Sequence, residues 1–303
     1  MALDLDALAV FVKVAELASF TRAAEQLGTS KARASLRVRA LEAQLGVPLL
    51  RRTTRTVRPT ADGEQLLPRA KRLLAEADEL VTSHRGARAL TGVVRVDLPM
   101  TFARDTILPR VPELLAAHPQ LELQVSTTDR RVDVVREGFD VVMRIGALPS
   151  SDLVAQRLGA LAIVNAASPG YLRRHGTPRT LADLDRHLLV HYDQRFGATA
   201  PGFEYPTGDG GYAIRPMRAG ITVNSADAYQ VAAIAGLGII QVPHVGARAA
   251  LEAGTLVEIL PELAAEPMPV SLVHPHGRAV PRRVRVVMAW LAAAIAPRLA
   301  PRG

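Results

Sequence analysis

Residues 19–63 read SFTRAAEQLGTSKARASLRVRALEAQLGVPLLRRTTRTVRPTADG, and this stretch decides the fold of the first part of the chain. An apolar series with the spacing i, i+3, i+4 and i+7 consists of Phe20, Ala23, Ala24 and Leu27. This spacing predicts a short amphipathic helix. Either Ser19 or Thr21 is placed to cap the helix, and Gly28 is placed to end it.

A second helix is predicted from Ser30, its expected N-cap, to Gly46, which stops it. Its apolar face consists of Ala34, Val38, Leu41 and Leu45, and its opposite face of Ala32, Arg33, Leu36, Arg39 and Ala40. Two short helices joined by a tight turn are typical of a helix-turn-helix, whose second helix presents side chains to the major groove of DNA. An exposed Leu36 suits a thymine methyl group, and Arg33 or Arg39 suits guanine.

The positive charge of the chain is concentrated in this region. The 303 residues carry a formal net charge of +8, and residues 28–60 hold eight basic side chains against the single acid Glu42. Such a cluster is expected where a protein neutralises DNA phosphates, although a solvated basic face has the same composition. The stretch RRTTRTVR, residues 51–58, favours the first interpretation, because Thr and Val favour strands and arginines along a ribbon reach flanking phosphates or the minor groove. It predicts a basic β-wing.

Several classes of protein are excluded or disfavoured by the composition. The absence of cysteine excludes disulfides, thiolate nucleophiles and cysteine-ligated zinc. No apolar run approaches the roughly 20 residues that span a bilayer, and Asp4 and Asp6 stand where a signal peptide would be basic, so we expect a cytoplasmic protein without membrane contact. No paired acids, Ser-His-Asp order or Gly-rich phosphate loop stands out, so neither an enzyme nor a bound cofactor is expected. His274 and His276 lack a third ligand, and no metal site is predicted.

The stretch 19–63 closely resembles the N-terminal signature of LysR-type transcriptional regulators. The resemblance runs through both helices and the wing to Thr60 and Gly63, which open the next helix. It implies an all-α winged helix-turn-helix with a small β-wing that binds double-stranded DNA. The expected DNA contacts are Thr21, Ser30, Lys31, Arg33, Ser35, Leu36, Arg39, Arg51, Arg52, Arg55 and Arg58. Many members carry other residues where this chain has Lys31, Arg33 and Leu36, so their base preferences do not carry over.

A long helix is predicted from Thr60 to about Ala87. A seam with alternating steps of four and three residues consists of Leu66, Ala70, Leu73, Ala77 and Leu80. Because a lone helix would expose this seam, it packs either on its own domain or on a second copy of the chain. The resemblance implies the second arrangement, the dimeric linker helix of the family. A homodimer or homotetramer would then read two half-sites.

Strands and helices alternate after Gly92, which predicts an α/β architecture with largely parallel sheets. The predicted strands are residues 93–98, 121–126, 140–146, 153–167, 238–243 and 270–275. The predicted helices are residues 103–117, 131–137, 226–236, 245–253 and 282–296. In such sheets, ligands bind where strands end and helices begin.

The order of segments from residue 129 onward resembles the effector-binding domain of the same family. Among them are DRRVDVVREGFDVVMRIGALPSSDLVAQRLG, ASPGYLRRHGTPRTLADL and NSADAYQVAAIAGLGIIQVP. The resemblance implies an α/β, two-lobed fold like that of periplasmic binding proteins. The expected domains are residues 1–59 for DNA binding, 60–91 for the linker helix and hinge, and 92–303 for the effector. Within the last, lobe I comprises residues 92–163 and 267–303, and lobe II residues 164–266.

The same resemblance implies an effector cleft between the lobes. Its expected lining residues are Thr101, Phe102, Arg144, Asn165, Asn224 and Ser225. Hydroxyls, amides and helix N-termini bind carboxylates, and Arg144 can add a charge-assisted pair, so a small polar or anionic metabolite is the expected effector. The alternative is that Asn224 and Ser225 only cap a helix and that Arg144 is a solvated strand end.

Together these patterns predict a sequence-specific DNA-binding transcriptional regulator that a small-molecule effector controls. RNA polymerase is a further expected partner. An alternative class is a transport-type solute-binding protein that kept only the sensing fold, but the expected lack of a signal sequence and the basic N-terminal block argue against it.

Overall fold

The structure, a computed structural model, describes residues 3–52, 57–84, 90–148, 153–277 and 280–299. The helices are α1 Leu5–Leu17, α2 Phe20–Gln26, α3 Lys31–Leu45, α4 Ala61–His84, α5 Met100–Phe102, α6 Val111–Ala117, α7 Val134–Glu137, α8 Pro169–His175, α9 Ala226–Ile234, α10 His244–Glu252 and α11 Arg282–Ile295. A π-helical turn covers Ala103–Ile107, and 3-10 turns cover Leu108–Arg110, Ala182–Arg186, Pro261–Leu263 and Ala296–Arg298.

The strands belong to a two-stranded wing and to the sheets of the second domain. They are β1 Leu50–Arg52, β2 Val57–Pro59, β3 Thr91–Leu98, β4 Gln120–Thr127, β5 Val141–Ile145, β6 Val154–Leu161, β7 Ile163–Ala167, β8 Leu189–Tyr192, β9 Gly202–Pro206, β10 Tyr212–Pro216, β11 Ala219–Val223, β12 Ile240–Pro243, β13 Val257–Glu258 and β14 Met268–His274. The predicted fold class, a winged helix-turn-helix followed by an α/β domain, is confirmed.

The helix-turn-helix forms where local signals predict it. Ser19 caps α2 by accepting a hydrogen bond from the Arg22 amide, and Ser30 caps α3 in the same way, with 3.2 Å from its hydroxyl to the Arg33 amide. Gly46 ends α3 in the left-handed region at φ +72°, which a residue without Cβ adopts at no steric cost. The core between α1, α2 and α3 includes Phe11, Phe20, Ala24, Ala34, Val38 and Leu41.

The wing is held to the helices by polar contacts at its base. Strands β1 and β2 pair antiparallel, with Arg51 opposite Arg58. The carboxylate of Glu42 accepts hydrogen bonds from the Leu49 and Leu50 amides at 2.9 and 3.0 Å. The one acid of the basic segment therefore fixes the start of the wing.

Helix α4 packs on its own domain along part of the predicted dimer seam, which corrects the assignment of Ala70. The Ala70 side chain is only 2% exposed and lies in the core with α1, and Leu66 packs partly buried against the same core. An ion pair of 2.8 Å between Lys71 and Glu16 also ties α4 to α1. The buried Ala70 methyl has no surface left for a second chain. Leu73 remains 39% exposed, and the side chain of Leu80 lies outside the described part of the structure.

The main sheet of the second domain has the order β4-β3-β5-β14-β6 and is mixed. Strand β3 runs parallel to β4 and β5, whereas β14 runs antiparallel to β5 and β6. The prediction of largely parallel sheets is therefore wrong. The antiparallel strand is the one that re-enters the sheet from elsewhere in the fold, so no crossover helix sets its direction.

The chain leaves the main sheet at Leu161 and returns at Met268. We call the part built on the main sheet the first lobe, and the part between these two residues the second lobe. The second lobe contains the antiparallel sheet β12-β7-β13, the parallel pair β8-β11 and the hairpin β9-β10. An isolated bridge between Leu189 and Ile239 links β8 to the strand region before β12.

Several predicted elements differ in detail. The single strand predicted for residues 153–167 is two strands, β6 and β7, separated at Ala162 where the chain changes lobes. The helix predicted for residues 103–117 is interrupted by π and 3-10 turns, and only four residues of 131–137 are helical, as α7. Helix α8 and strands β8 to β11 and β13 had no prediction, because their short segments lack a clear apolar period.

Candidate DNA interface and effector cleft

The outward face of α3 is apolar in its centre and basic around it. Lys31, Arg33, Leu36 and Arg39 are exposed, and Leu36 is 62% exposed. On the opposite face, Ala34, Val38 and Leu41 are buried in the core. An exposed leucine flanked by arginines suits contact with a thymine methyl group next to guanine.

The polar residues at the start of the helices have different positions. Thr21 and Ser30 are exposed, and the Ser30 hydroxyl is already used to cap α3. Ser35 is half-buried. Arg37, which was not among the predicted contacts, donates to Asp6 on α1 at 3.0 Å and is thereby held against the domain.

The predicted wing arginines are only partly described. Arg51 and Arg58 are exposed at paired positions of the two strands, and so they point a double positive charge away from the domain core. Arg55 lies outside the described residues, as does the side chain of Arg52. With Arg33 and Arg39 on α3, the described arginines form a basic surface on the first domain.

A cleft of about 810 Å³ separates the two lobes. Strand ends and loops of the first lobe form one wall, and strands β8 and β12 with helix α9 form the other. Most of the lining surface is apolar, and polar side chains that include Thr101, Arg144 and Gln241 lie between the apolar ones, as in many small-molecule sites. Of the predicted effector residues, Thr101, Phe102 and Arg144 line this cleft.

Arg144 is not a solvated strand end, because its guanidinium is held by the floor of the cleft. It lies 3.3 Å from the carboxylate of Asp97 and donates to the Val132 carbonyl at 3.1 Å. Asp97 is fully buried, and burial raises the pKa of its carboxyl although Ser126 and Arg144 offset part of this effect. Asp97 was not predicted from the sequence, where the available signal was an acid between the apolar residues Val96 and Leu98.

Asn165 does not contact the cleft, which corrects its assignment as an effector residue. It is fully buried in β7, and its amide donates to the carbonyls of Leu260 and Leu263 at 2.9 and 3.0 Å. Its oxygen accepts a bond from Gln241 at 2.8 Å. These bonds hold β7 to β12 and to the 3-10 turn Pro261–Leu263, so the side chain serves the packing of the second lobe.

Asn224 and Ser225 are also corrected. The Ser225 hydroxyl caps α9 by accepting from the Ala228 amide at 3.2 Å, and Asn224 is exposed. Neither is among the described residues that line the cleft. The alternative given for this pair, that it serves as a helix cap, therefore fits Ser225.

Other cleft residues were not predicted from the sequence. The side-chain amide of Gln241 accepts a hydrogen bond from the backbone amide of Glu204 and donates one to its carbonyl, both at 2.8 Å, which fixes the side chain in the wall. Tyr229 packs beneath the cleft, where burial raises the pKa of its phenol to about 12, so the hydroxyl stays neutral. His191 is 8% exposed and lies 3.2 Å from the Thr199 carbonyl. These side chains are far apart in sequence, and no local pattern marks them.

The two histidines noted near the end of the chain serve a structural contact. His276 lies 3.4 Å from the carboxylate of Asp140, and its ring is stacked on that of His274. Within the described residues, no group of three or more His, Cys, Asp or Glu side chains is arranged to hold a metal ion. Among the same residues, no helix has the length and apolar character needed to cross a membrane.

A winged helix-turn-helix with a basic outer face, joined to a two-lobed domain with an internal cleft, defines a ligand-responsive DNA-binding protein. Two family models match the chain, the lysR family of bacterial regulatory helix-turn-helix proteins over residues 5–64 and the LysR substrate binding domain over residues 87–296. The chain belongs to the LysR family. It is a LysR-type transcriptional regulator with an effector-binding domain.

Individual relatives agree with this assignment. The uncharacterised HTH-type transcriptional regulator YhjC of Escherichia coli is 44% identical over 289 residues, which cover 94% of this chain and 96% of that protein. The solved structure of CrgA, a LysR-type transcriptional regulator from Neisseria meningitidis, is 28% identical, with a TM-score of 0.60 over 96% of this chain and 99% of its own. Full-length LysG of Corynebacterium glutamicum, solved with bound effector Arg, shares the fold with a TM-score of 0.61 at 21% identity over 99% of this chain and 100% of its own.

Proposed function

We propose that this regulator binds an operator through α3 and the wing, and that a small molecule in the cleft between the lobes controls this binding. The observation that carries the first part is the outward face of α3, where an exposed Leu36 lies among basic side chains. The proposed contacts are Thr21, Ser30, Lys31, Arg33, Ser35, Leu36, Arg39, Arg51, Arg52, Arg55 and Arg58. The proposed domain limits remain 1–59, 60–91 and 92–303.

The direct test of sequence-specific recognition is binding to randomised duplexes followed by sequencing of the bound fraction. The bound fraction should be enriched in one motif, and equal binding of all duplexes would contradict sequence-specific recognition.

For the effector we propose a molecule with an apolar body and a polar or anionic head. The apolar lining of the 810 Å³ cavity supports the first feature, and Thr101 and Arg144 support the second. A buried donor left without a partner costs about 1–3 kcal/mol, so a ligand lacking a polar head would bind poorly at that end. The bound ligand of LysG, the effector Arg, lies in a protein with the same fold, which supports a small-molecule ligand for this chain.

A thermal-shift screen of small metabolites is expected to yield compounds that raise the melting temperature of the wild-type protein. Because Thr101 lines the cleft, Thr101→Val should reduce these shifts in melting temperature. The loss of one hydrogen bond should weaken ligand binding by about 1–2 kcal/mol. Asn224→Ala is the matched control, since it removes an exposed polar side chain outside the cleft. Compounds whose shifts fall with Asn224→Ala but persist with Thr101→Val would place the effector elsewhere.

We also propose that α4 mediates the dimer through the part of its seam left uncovered, with Leu73 and Ala77 at its centre. Leu73→Glu is expected to produce monomers, because the two-fold axis would bring two carboxylates together in an apolar contact. Light scattering measures the result. Gln65→Glu places the same side chain at an exposed position elsewhere on α4 and should leave the oligomer intact. An unchanged mass for Leu73→Glu would show that this seam does not join the chains.

We place the regulator in the cytoplasm, where its DNA ligand is found, and as a homodimer or homotetramer. RNA polymerase is the proposed further partner at the promoter. This part of the proposal is supported by membership of a family of DNA-binding transcriptional regulators.

A further inference from the structure

Asp129, one of the residues that line the cleft, makes contacts from the first lobe to the second. Asp129 follows β4 in the first lobe, and its carboxylate accepts a hydrogen bond from the Ala226 amide at 2.8 Å, at the first residue of α9 in the second lobe. Its backbone carbonyl accepts a second bond from the side chain of Gln194 at 2.7 Å. One residue of the first lobe therefore makes two polar contacts with the second.

We propose that Asp129 is a clasp that holds the two lobes together, and that its carboxylate fills the position where an effector carboxylate would meet α9. This inference rests on the proposed effector cleft, whose lining includes Asp129 and Ala226. We call Asp129, Gln194 and the Ala226 amide the Asp129 clasp.

Helix-end electrostatics explain why this contact is effective. The first amides of a helix lack partners inside it, and the helix dipole favours a negative charge beside them. Ser225 satisfies the Ala228 amide, and Asp129 satisfies the Ala226 amide, so the end of α9 is capped by one side chain from its own lobe and one from the other. Opening the lobes breaks the second cap and exposes both groups to water.

An ion pair next to this hydrogen bond also links the two lobes. Arg104 in the first lobe lies 3.3 Å from Asp227, the residue after Ala226, but both side chains are about half exposed. An exposed pair of this kind contributes little to stability, because water screens both charges. We therefore assign the closing contact to Asp129 and treat Arg104 as a minor contributor.

The clasp also limits what the cleft can bind. A ligand carboxylate at the start of α9 would lie against the carboxylate of Asp129, and two like charges at that distance repel strongly where water is scarce. The anionic head of an effector is therefore directed away from α9. This explains why Asn224 and Ser225, which look like an anion site in the sequence, do not form one.

Distance measurements between spin labels test the clasp without an effector. Because the chain has no cysteine, Ala116→Cys on α6 and Ala253→Cys after α10 introduce two unique labelling positions, both exposed and one in each lobe. Labelled chains are diluted with unlabelled chains so that distances within one chain dominate. Asp129→Ala should lengthen and broaden the distance distribution, and the near-isosteric Asp129→Asn should give a smaller change in the same direction.

Asp133→Ala is the matched control. Asp133 lies in the same loop and caps α7 by accepting from the Arg136 amide at 2.9 Å, but this cap lies within the first lobe. Its loss should leave the distance between the lobes unchanged.

Hydrogen exchange supplies a second readout, since the Ala226 amide should exchange roughly fivefold faster in Asp129→Ala, as expected for the loss of a cap. A wild-type distance and wild-type exchange in Asp129→Ala would overturn the clasp.

Formate tests the claim that Asp129 occupies a carboxylate position. Formate should shift the distance in Asp129→Ala back toward the wild-type value, while sodium chloride at equal ionic strength should not. No recovery with formate, or equal recovery with both salts, would overturn that claim. Because neither experiment needs the natural effector, a failed clasp is distinguishable from a failed Thr101 screen, which tests the cleft itself.

Discussion

Gly63→Ala is expected to unfold or displace the wing and to abolish DNA binding. A Cβ at this position would overlap the Leu49 carbonyl oxygen and lie 3.2 Å from the Pro59 ring. The first of these atoms is backbone, so no side-chain rotation relieves the clash. Thr60 and Leu49 are hydrogen-bonded here, and moving α4 away would break the junction between wing and linker. We expect a loss of about 3 kcal/mol in the free energy of unfolding of the first domain, the upper end for overpacking.

Gly46→Ala is the control for this substitution. Gly46 has φ +72°, but an added Cβ would meet nothing within 4 Å, so alanine there costs only backbone strain of about 1–2 kcal/mol. The single tryptophan, Trp290, lies in the second domain, so its fluorescence does not report unfolding of the first domain. Unfolding of the first domain is therefore followed by the circular dichroism of its helices. Duplex binding is measured by fluorescence anisotropy. Wild-type binding by Gly63→Ala would show that the Leu49 carbonyl moves freely.

The helix-turn-helix was predictable because its signals are local. Ser30 and Gly46 mark the two ends of α3, and the apolar period between them places Ala34 and Val38 inside. Each of these residues acts on neighbours within a turn or two, so the sequence window contains all the relevant interactions.

The linker helix shows where a periodic pattern is insufficient. The spacing of Leu66, Ala70 and Leu73 predicts an apolar seam, but it does not say which surface covers it. Tertiary packing decides this, and it places Ala70 in the core of its own domain while leaving Leu73 partly exposed. A heptad pattern therefore shows which face of a helix is apolar, but only the tertiary structure shows which surface packs against that face.

The cleft was the least predictable part, because its residues are brought together over long sequence distances. Asn165 in an apolar strand fits either a ligand contact or a satisfied buried amide, and only the position of the Leu260 and Leu263 carbonyls, nearly a hundred residues later, decides between them. The same holds for Arg144 and Asp97, which pair across neighbouring strands. Buried polar groups need partners, but sequence alone does not say which ones.

Arg33→Ala is expected to weaken binding to the selected operator by about 1–3 kcal/mol and to change binding to random DNA little, because a bidentate arginine contact reads one base. Arg33 lies in the first turn of α3, and its side chain is exposed. The contact with the capping residue Ser30 uses the backbone amide of Arg33, so its guanidinium is available to a base edge.

Arg51→Ala should behave differently, because an arginine on the wing contacts phosphates. It should weaken all duplexes alike and reduce the slope of log affinity against log salt concentration by about one. Arg37→Ala is the matched control on α3 itself, since Arg37 is paired with Asp6 and should have the smallest effect on either measurement. Equal losses on operator and random DNA for Arg33→Ala would assign Arg33 to the phosphate backbone, and the base preference of α3 would then rest on Leu36 and Arg39.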